Sequence, residues 1–428
     1  MAPRLSGTPV PDALPETFPW DPTVEEVARR LLDLPDPLCP ECRGRALGRL
    51  GHGLTNPGRL ARVAQALGRP APALPPGVEC GLCGGAFQSL ERWADRCERA
   101  GEGWEFSSFR CGSRWDPERL AREEAFWLSL ATPWGESART AFNRELGKVL
   151  GQRLGLPGDR EPAEMVFVSD LLAGTVEVTV APLFVEGRYR KLDRTLPQTR
   201  WPCRSCHGEG CVRCGSTGKQ YPTSVEEILA GPLLRACGGS AHAFHGMGRE
   251  DIDARMLGRG RPFVLEISRP HRRSVDLDAV AREVAQEAAG RVELVQWARC
   301  EGSRVEQVKS ARPEKTYRVV VRPSVPEAKV KEVLPLVTLR PLEQRTPTRV
   351  QHRRADKVRL RSVREMRWVG SDEEGFTLEL RTEAGTYVKE LIQGDGGRTR
   401  PNLSDLLGVP LTVSALDVLQ VHDPEGGP

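Results

Sequence analysis

Eight of the twelve cysteines in this 428-residue chain fall into four CxxC pairs: Cys39/Cys42, Cys80/Cys83, Cys203/Cys206 and Cys211/Cys214. A CxxC turn lets two thiolates reach one tetrahedral ion at ~2.3 Å, and two such turns complete a four-cysteine site. Gly81, Gly84, Gly208, Gly210 and Gly215 supply the tight turns of such knuckles. The spacing predicts two structural zinc sites, one from the first two pairs and one from the last two. Competing readings are free core thiols, redox pairs, or an iron–sulfur cluster on the same thiolates. Redox motifs come singly, not in matched doubles. The second site is compact, whereas the first closes over residues 43–79, so its pairing is an inference. A four-thiolate site leaves no open coordination position, so the expected role is to build an accessory fold. Cys97, Cys111, Cys237 and Cys300 have no partner spacing and read as packing residues.

In a compartment that keeps thiols reduced, twelve cysteines call for an explanation other than disulfides. The stretch Met1–Pro19 lacks the basic start and apolar core of a secretion signal. No window approaches the ~18 unbroken apolar residues of a membrane helix. A cytoplasmic protein with no membrane partner is expected. Lys+Arg 62 against Asp+Glu 58 leaves only +4, so nucleic-acid affinity must come from local clustering. Residues 340–367 provide it, with ten cations against three acids. Such a stretch suits phosphate contacts, although a solvated strand pair would look the same.

Residues 1–20 read as a disordered tail. Apolar spacing at helical period predicts helices over 24–34, 59–67, 89–99, 117–130 and 137–154. Asp116 is placed to cap the fourth of these. β-Branched, partly alternating runs at 164–169 and 175–185 read as strands. The expected organisation is an accessory domain over 21–216, ending at the second knuckle, and a second domain over 217–428. Strands at 261–267, 292–299, 316–321, 375–382 and 412–421, with a helix at 277–289, suggest an α+β fold with a mixed or antiparallel sheet.

The densest polar string is HAFHGMGREDIDARMLGRGRP, from His242 to Pro262. Read as a loop, it carries Asp251 and Asp253 among arginines. Two carboxylates can bind Mg2+ or act as an acid/base pair. A single carboxylate held ionised by nearby cations can be a nucleophile. A surface turn with salt bridges remains an alternative on residue types alone.

The string GREDIDARMLGRGRPFVLEI resembles the aspartate-bearing loop of archaeal and eukaryotic tRNA pseudouridine synthases that act on the T-arm. The segments 167–201, EKTYRVVV (314–321), QRTPTRVQHRRADKVR (344–359) and GTYVKELIQGDGGRTRPNLSDLL (385–407) resemble the same family. The likeness covers residues ~160 to 420, and the N-terminal CxxC pairs extend it. It implies an N-terminal zinc-binding, THUMP-like α/β domain that binds tRNA. It also implies a catalytic domain with a mixed, largely antiparallel sheet flanked by helices. Asp251 falls on the family's nucleophile, with Asp253 orienting the loop. Tyr317 falls on the tyrosine that stacks on the uracil, and Lys389 on the cation that pairs with the aspartate. Val388 and Leu416 fall on apolar positions against the base. Tyr387, Arg249, Arg353 and Arg354 are expected to contact tRNA. Arg188, Arg190 and Lys191 suit the tRNA-binding part, and Tyr189 between them either stacks on a base or plugs a strand end. The implied reaction isomerises uridines 54 and/or 55 of tRNA, with no organic cofactor and no protein partner, by a monomer. A non-catalytic zinc-containing tRNA-binding protein is the alternative. A Mg2+-dependent nuclease using Asp251 and Asp253 would need a third acidic ligand, and none is evident.

Overall fold

The computed structural model describes residues 18–158 and 162–423, with the side chains of 352 and 353 outside that description. The chain forms two compact units that divide between Ala181 and Pro182.

The first unit carries helices α1 (Pro22–Asp33), α2 (Pro40–Gly44), α3 (Asn56–Ala66), α4 (Leu90–Gly101), α5 (Pro117–Leu130) and α6 (Ala138–Leu154). Its sheet runs β1 (Phe109–Arg114), β2 (Met165–Asp170), β3 (Thr175–Val180) in that order. β1 and β2 are parallel, with α5 and α6 in the crossover, and β3 turns back antiparallel. The helix starts are capped as their residue types dictate. Asp21 accepts from the N–H groups of Thr23 and Val24, and Asp116 from that of Glu118. One core runs from α1 to β2. Phe18 and Trp20 are buried in it, so the expected tail is wrong at its last residues; residues 1–17 lie outside the description.

The expected strand 175–185 is two strands. β3 ends at Val180, and β4 (Leu183–Lys191) begins beyond Pro182, which has no N–H to continue a ladder. β4 pairs with β6 (Ala254–Ser268) and β7 (Val292–Arg299), which belong to the second unit. The expected boundary at 216/217 is therefore corrected to 181/182. The second knuckle moves with β4 into the second unit.

That unit also holds β5 (Ala241–Gly246), β8 (Glu314–Arg322), β9 (Leu342–Arg345), β10 (Val358–Arg361), β11 (Val363–Ser371), β12 (Phe376–Thr382), β13 (Thr399–Arg400) and β14 (Thr412–His422). Its helices are α7 (Val225–Cys237), α8 (Leu277–Ala288), α9 (Ser303–Ser310), α10 (Glu327–Thr338), α11 (Val388–Gln393) and α12 (Leu403–Leu407). Among the described residues the main sheet runs β11-β12-β8-β14-β6-β4-β7, with β5 paired to β6. Every pairing is antiparallel except β14 with β6. The sheet is thus mixed and largely antiparallel, as expected. A small sheet, β10-β9-β13, carries much of the basic segment.

One side of β6 changes partner along its length, from β14 at Ala254–Met256 to β5 at Phe263–Ser268, while β4 pairs with the other side from Met256 to Ile267. Gly258 and Gly260 make the change, with φ of +59° and +78°. A Cβ at Gly258 would sit 1.9 Å from the Leu419 carbonyl oxygen, so no other residue fits there.

Candidate active site and metal centres

The polar string read as one long loop is a strand, a short loop and a strand. Only 247–253, between β5 and β6, is loop, and it holds Asp251 and Asp253. Four buried side chains brace it. Arg261 donates to the Met247 carbonyl at 2.7 Å and pairs with Glu250 at 2.8 Å, both side chains being 1 % exposed. Tyr189 donates to Glu250 at 2.9 Å, and Gln198 donates to Tyr189 and to the Gly248 carbonyl. Lys191 donates to the carbonyls of Leu196, Asp251 and Ile252, at 2.9, 3.2 and 2.6 Å. Burial lowers the Lys191 pKa to about 8, against the pull of Glu250. These contacts correct the reading of β4. Tyr189 plugs the strand. Arg188 is buried against Asp423, and Lys191 is buried on the loop carbonyls, so neither is an RNA contact. Arg190 is exposed but paired with Glu293.

β14 carries the convergence. Its register sets Leu416 opposite Ala254, where the loop ends, and Val418 opposite Tyr317. Asp417 between them accepts from Arg255 at 2.9 and 2.7 Å and from Arg194 at 2.6 Å. Arg194 also donates to the carbonyls of Asp253 and Leu416. The loop exit is thereby tied to the strand that faces the tyrosine.

Asp251, Tyr317, Lys389, Val388, Tyr387, Leu416, Arg249 and Arg354 all line one cleft of about 500 Å³. The predicted constellation is brought together from five separate stretches of chain. Lys389 Nζ lies 3.8 Å from Asp251 Oδ2, but its shorter contacts are to Asp253, at 2.6 and 2.8 Å. Burial would raise the Asp253 pKa, yet the Lys389 hydrogen bond and charge hold it below the usual carboxylate range. The hydrogen bond to Asp251 comes instead from Arg349 Nη1, at 3.0 Å. Arg349 is fixed in turn by Glu390, at 2.7 and 3.3 Å. Sequence reasoning placed Arg349 in the basic segment without seeing this role. Its signal, a cation in a turn 98 residues from the acid, has meaning only once the chain is folded.

Tyr317 is half-buried on β8. Burial pushes its phenol up to about 12, with Arg261 opposing and the Asp251 charge adding, so it is protonated at neutral pH. Val388 and Leu416 are buried apolar wall. Tyr387 exchanges backbone hydrogen bonds with the Gln344 side chain, and its hydroxyl accepts from Arg354 at 3.1 Å. The Arg249 guanidinium stands 5.2 Å over the Trp201 ring, on the segment leading to the second knuckle. The Arg353 side chain lies outside the described residues.

Both four-cysteine sets assemble as the spacing predicted. In each, the four Sγ atoms lie within 4.8 Å of one another, and all eight thiols are free. The sets fit a tetrahedral ion. Cys39, Cys42, Cys80 and Cys83 are buried; beyond them Arg45, 0 % exposed, donates to Cys42 Sγ at 3.4 Å and pairs with Glu123. Cys203, Cys206, Cys211 and Cys214 sit in a run of turns. Backbone N–H groups of Gly210 and Gly218 point at Cys206 and Cys214, at 3.2 and 3.3 Å. Of the four cysteines expected to be packing residues, Cys97, Cys111 and Cys237 are buried, and Cys300 is partly buried against a small apolar cluster. No helix among the described residues is long and apolar enough to cross a membrane.

Two family models match: "Pus10, C-terminal" over residues 184–422, and "Pus10 THUMP domain, archaeal" over 93–170. The first begins inside β4, in agreement with the structural boundary. The tRNA pseudouridine synthase Pus10 of Methanothrix thermoacetophila is 41 % identical over 424 residues, covering 92 % of this chain and 93 % of the relative. That of Methanothermobacter marburgensis is 41 % identical, covering 94 % and 99 %. That of Pyrococcus furiosus is 37 % identical, covering 93 % and 98 %.

Proposed function

The chain belongs to the Pus10 family of tRNA pseudouridine synthases, and on that premise we propose that it isomerises T-arm uridines 54 and/or 55 of tRNA, with Asp251 as nucleophile. The observation that carries the reading is the braced Asp251 carboxylate facing Tyr317 across a cleft lined by cations. The target uridine leaves its stack to enter the cleft. Tyr317 stacks on the uracil, and Val388 and Leu416 close around it, a contribution of ~1–3 kcal/mol per stacked base. Arg349 hydrogen-bonds the Asp251 carboxylate at 3.0 Å and Lys389 stands 3.8 Å from it, so the two cations hold the acid in place as the base enters.

In the reaction the N1–C1′ bond breaks, the base turns, and C5 joins C1′. C5 loses a proton and N1 gains one, so no oxidant or energy source enters the balance. Tyr317 enters as a phenol, so it accepts the C5 proton only after giving up its own. Tyr387, Arg249 and Arg354 contact the RNA around the cleft, and the THUMP-type unit binds the rest of the tRNA. Zinc in both cysteine sets would hold the chain and supply no chemistry, because four thiolates fill its coordination. The protein works as a cytoplasmic monomer without an organic cofactor.

Asp251→Asn should abolish pseudouridine in unmodified tRNA while leaving tRNA affinity within about threefold, since one atom changes and the cations remain. Pseudouridine mapping and a binding titration test it together. Lost binding with residual product would remove Asp251 from the nucleophile role.

A further inference from the structure

The cleft holds a buried cation that nothing in the reaction above uses. Lys315 stands two residues before Tyr317 on β8, so both side chains point to the same face, and both line the cleft. Lys315 is 8 % exposed. Its ammonium donates to the Pro313 carbonyl at 3.3 Å and has no other partner among the described residues. It lies against the loop of the nucleophile, 3.9 Å from where a Cβ on Gly248 would be.

A buried ammonium without a counter-charge is costly. The neighbours do not relieve it. Lys309, Arg312 and Arg361 line the same cleft, and among the described residues no carboxylate pairs with any of the four. Arg361 also leaves its buried Nε without a hydrogen-bond partner. By contrast, Arg261, Arg349 and Lys389, on the same cleft, each pair with an acid. The cleft therefore carries cations whose charge is met by an acid and, beside them, cations whose charge is not. Burial, with Arg261 and Arg312 adding to it, lowers the Lys315 pKa to about 8, so the group is still charged at neutral pH.

We propose that Lys315, with Arg312 beside it, is the seat for a backbone phosphate flanking the flipped uridine. A neutral carbonyl of the base would offset one of these charges only in part, whereas a phosphate brings a full charge and several acceptor oxygens. The proposal rests on the tRNA reading above. It assigns Lys315 to holding the ribose end of the nucleotide so that C1′ faces Asp251.

The test combines Lys315→Met with tRNA carrying one neutral methylphosphonate, either 5′ or 3′ of the target uridine. Single-turnover rates and tRNA affinities are read for each pair. Lys315→Met should slow wild-type tRNA on the order of 100-fold, and Lys315→Arg should recover part of that. One of the two methylphosphonates should slow the native enzyme comparably and slow Lys315→Met no further. If both neutral phosphates slow the variant by the full native factor, the seat is elsewhere and the proposal fails. Lys315→Met should melt at or above the native temperature, because it removes an unpaired buried charge; a lower melting point would make Lys315 structural and overturn the proposal. If the native protein yields no pseudouridine, the functional reading fails by itself. Affinity for the neutralised tRNAs then still decides whether Lys315 holds a phosphate.

Discussion

The two four-cysteine sets share a donor list and differ in what surrounds it. Cys39, Cys42, Cys80 and Cys83 are 0–3 % exposed and belong to the core of the first unit. The set joins the start of α2 to a turn 41 residues on, and Arg45 and Glu123 are buried behind it. Cys203, Cys206, Cys211 and Cys214 span twelve residues of turns, and three of the four are partly exposed. Val212 at the tip is 98 % exposed. Identical ligand chemistry thus serves two ends. In the first unit a metal would substitute for apolar packing in a core, and in the second it would pin a loop that leads, through Trp201, to Arg249 above the cleft. The lesson is that spacing identifies a metal site, and only burial says what would fall apart without it.

The comparison breaks most readily at a ligand. Cys42→Ser should cost the first unit on the order of 5 kcal/mol or more, enough to remove cooperative melting, since metal binding there is folding free energy. Cys206→Ser should leave global melting within about 1 kcal/mol. Calorimetry with limited proteolysis checks both, and equal losses would erase the distinction. A chelator sharpens it further. Metal analysis should return two zincs per chain, and EDTA should strip the exposed set at least about tenfold faster than the buried one. One zinc per native chain would remove one of the two sites.

The smallest difference is in pH. The first unit has one lysine, the exposed Lys148, whereas the second buries Lys191 and Lys315, both lowered to about 8. Unfolded lysine titrates near 10.4. Between about 8 and 10.4 the unfolded chain binds more protons, so these two groups make the second unit more stable as pH rises, by on the order of 1 kcal/mol per pH unit each. The advantage of Lys315→Met over the native protein should therefore shrink across that range. Melting of both proteins at pH 7 and pH 10 measures it, and an unchanged gap would mean that Lys315 is not a buried charge.

Much of this was legible in the sequence where the cause is local. The helix Pro117–Leu130 and the strand Val292–Arg299 stand where periodicity put them, because caps and alternation are set by near neighbours. Both cysteine sets were legible because each CxxC turn is itself local. The unit boundary was not. Residues 175–185 read as one β-branched run, and only the distant partners of β4 show that it crosses from one unit into the next. For the same reason Arg188 and Lys191 looked like surface cations; the Asp423 carboxylate that pairs with Arg188 lies 235 residues away, and the Asp251 carbonyl that accepts from Lys191 lies 60 away. Asp251, Tyr317 and Lys389 were found through family likeness. Arg349 and Lys315 were missed because their roles depend on which charges face them.

Lys191 sets a limit on how this enzyme can be divided. A protein engineer who excised the portion from residue 217 onward would keep Asp251, Tyr317, Arg349 and Lys389. The fragment would nonetheless forfeit the ammonium that grips the acid's own peptide carbonyl, the strand that bears it, and the glutamine under Gly248. A fragment that keeps all of these groups begins no later than residue 182, with the cysteine knuckle included.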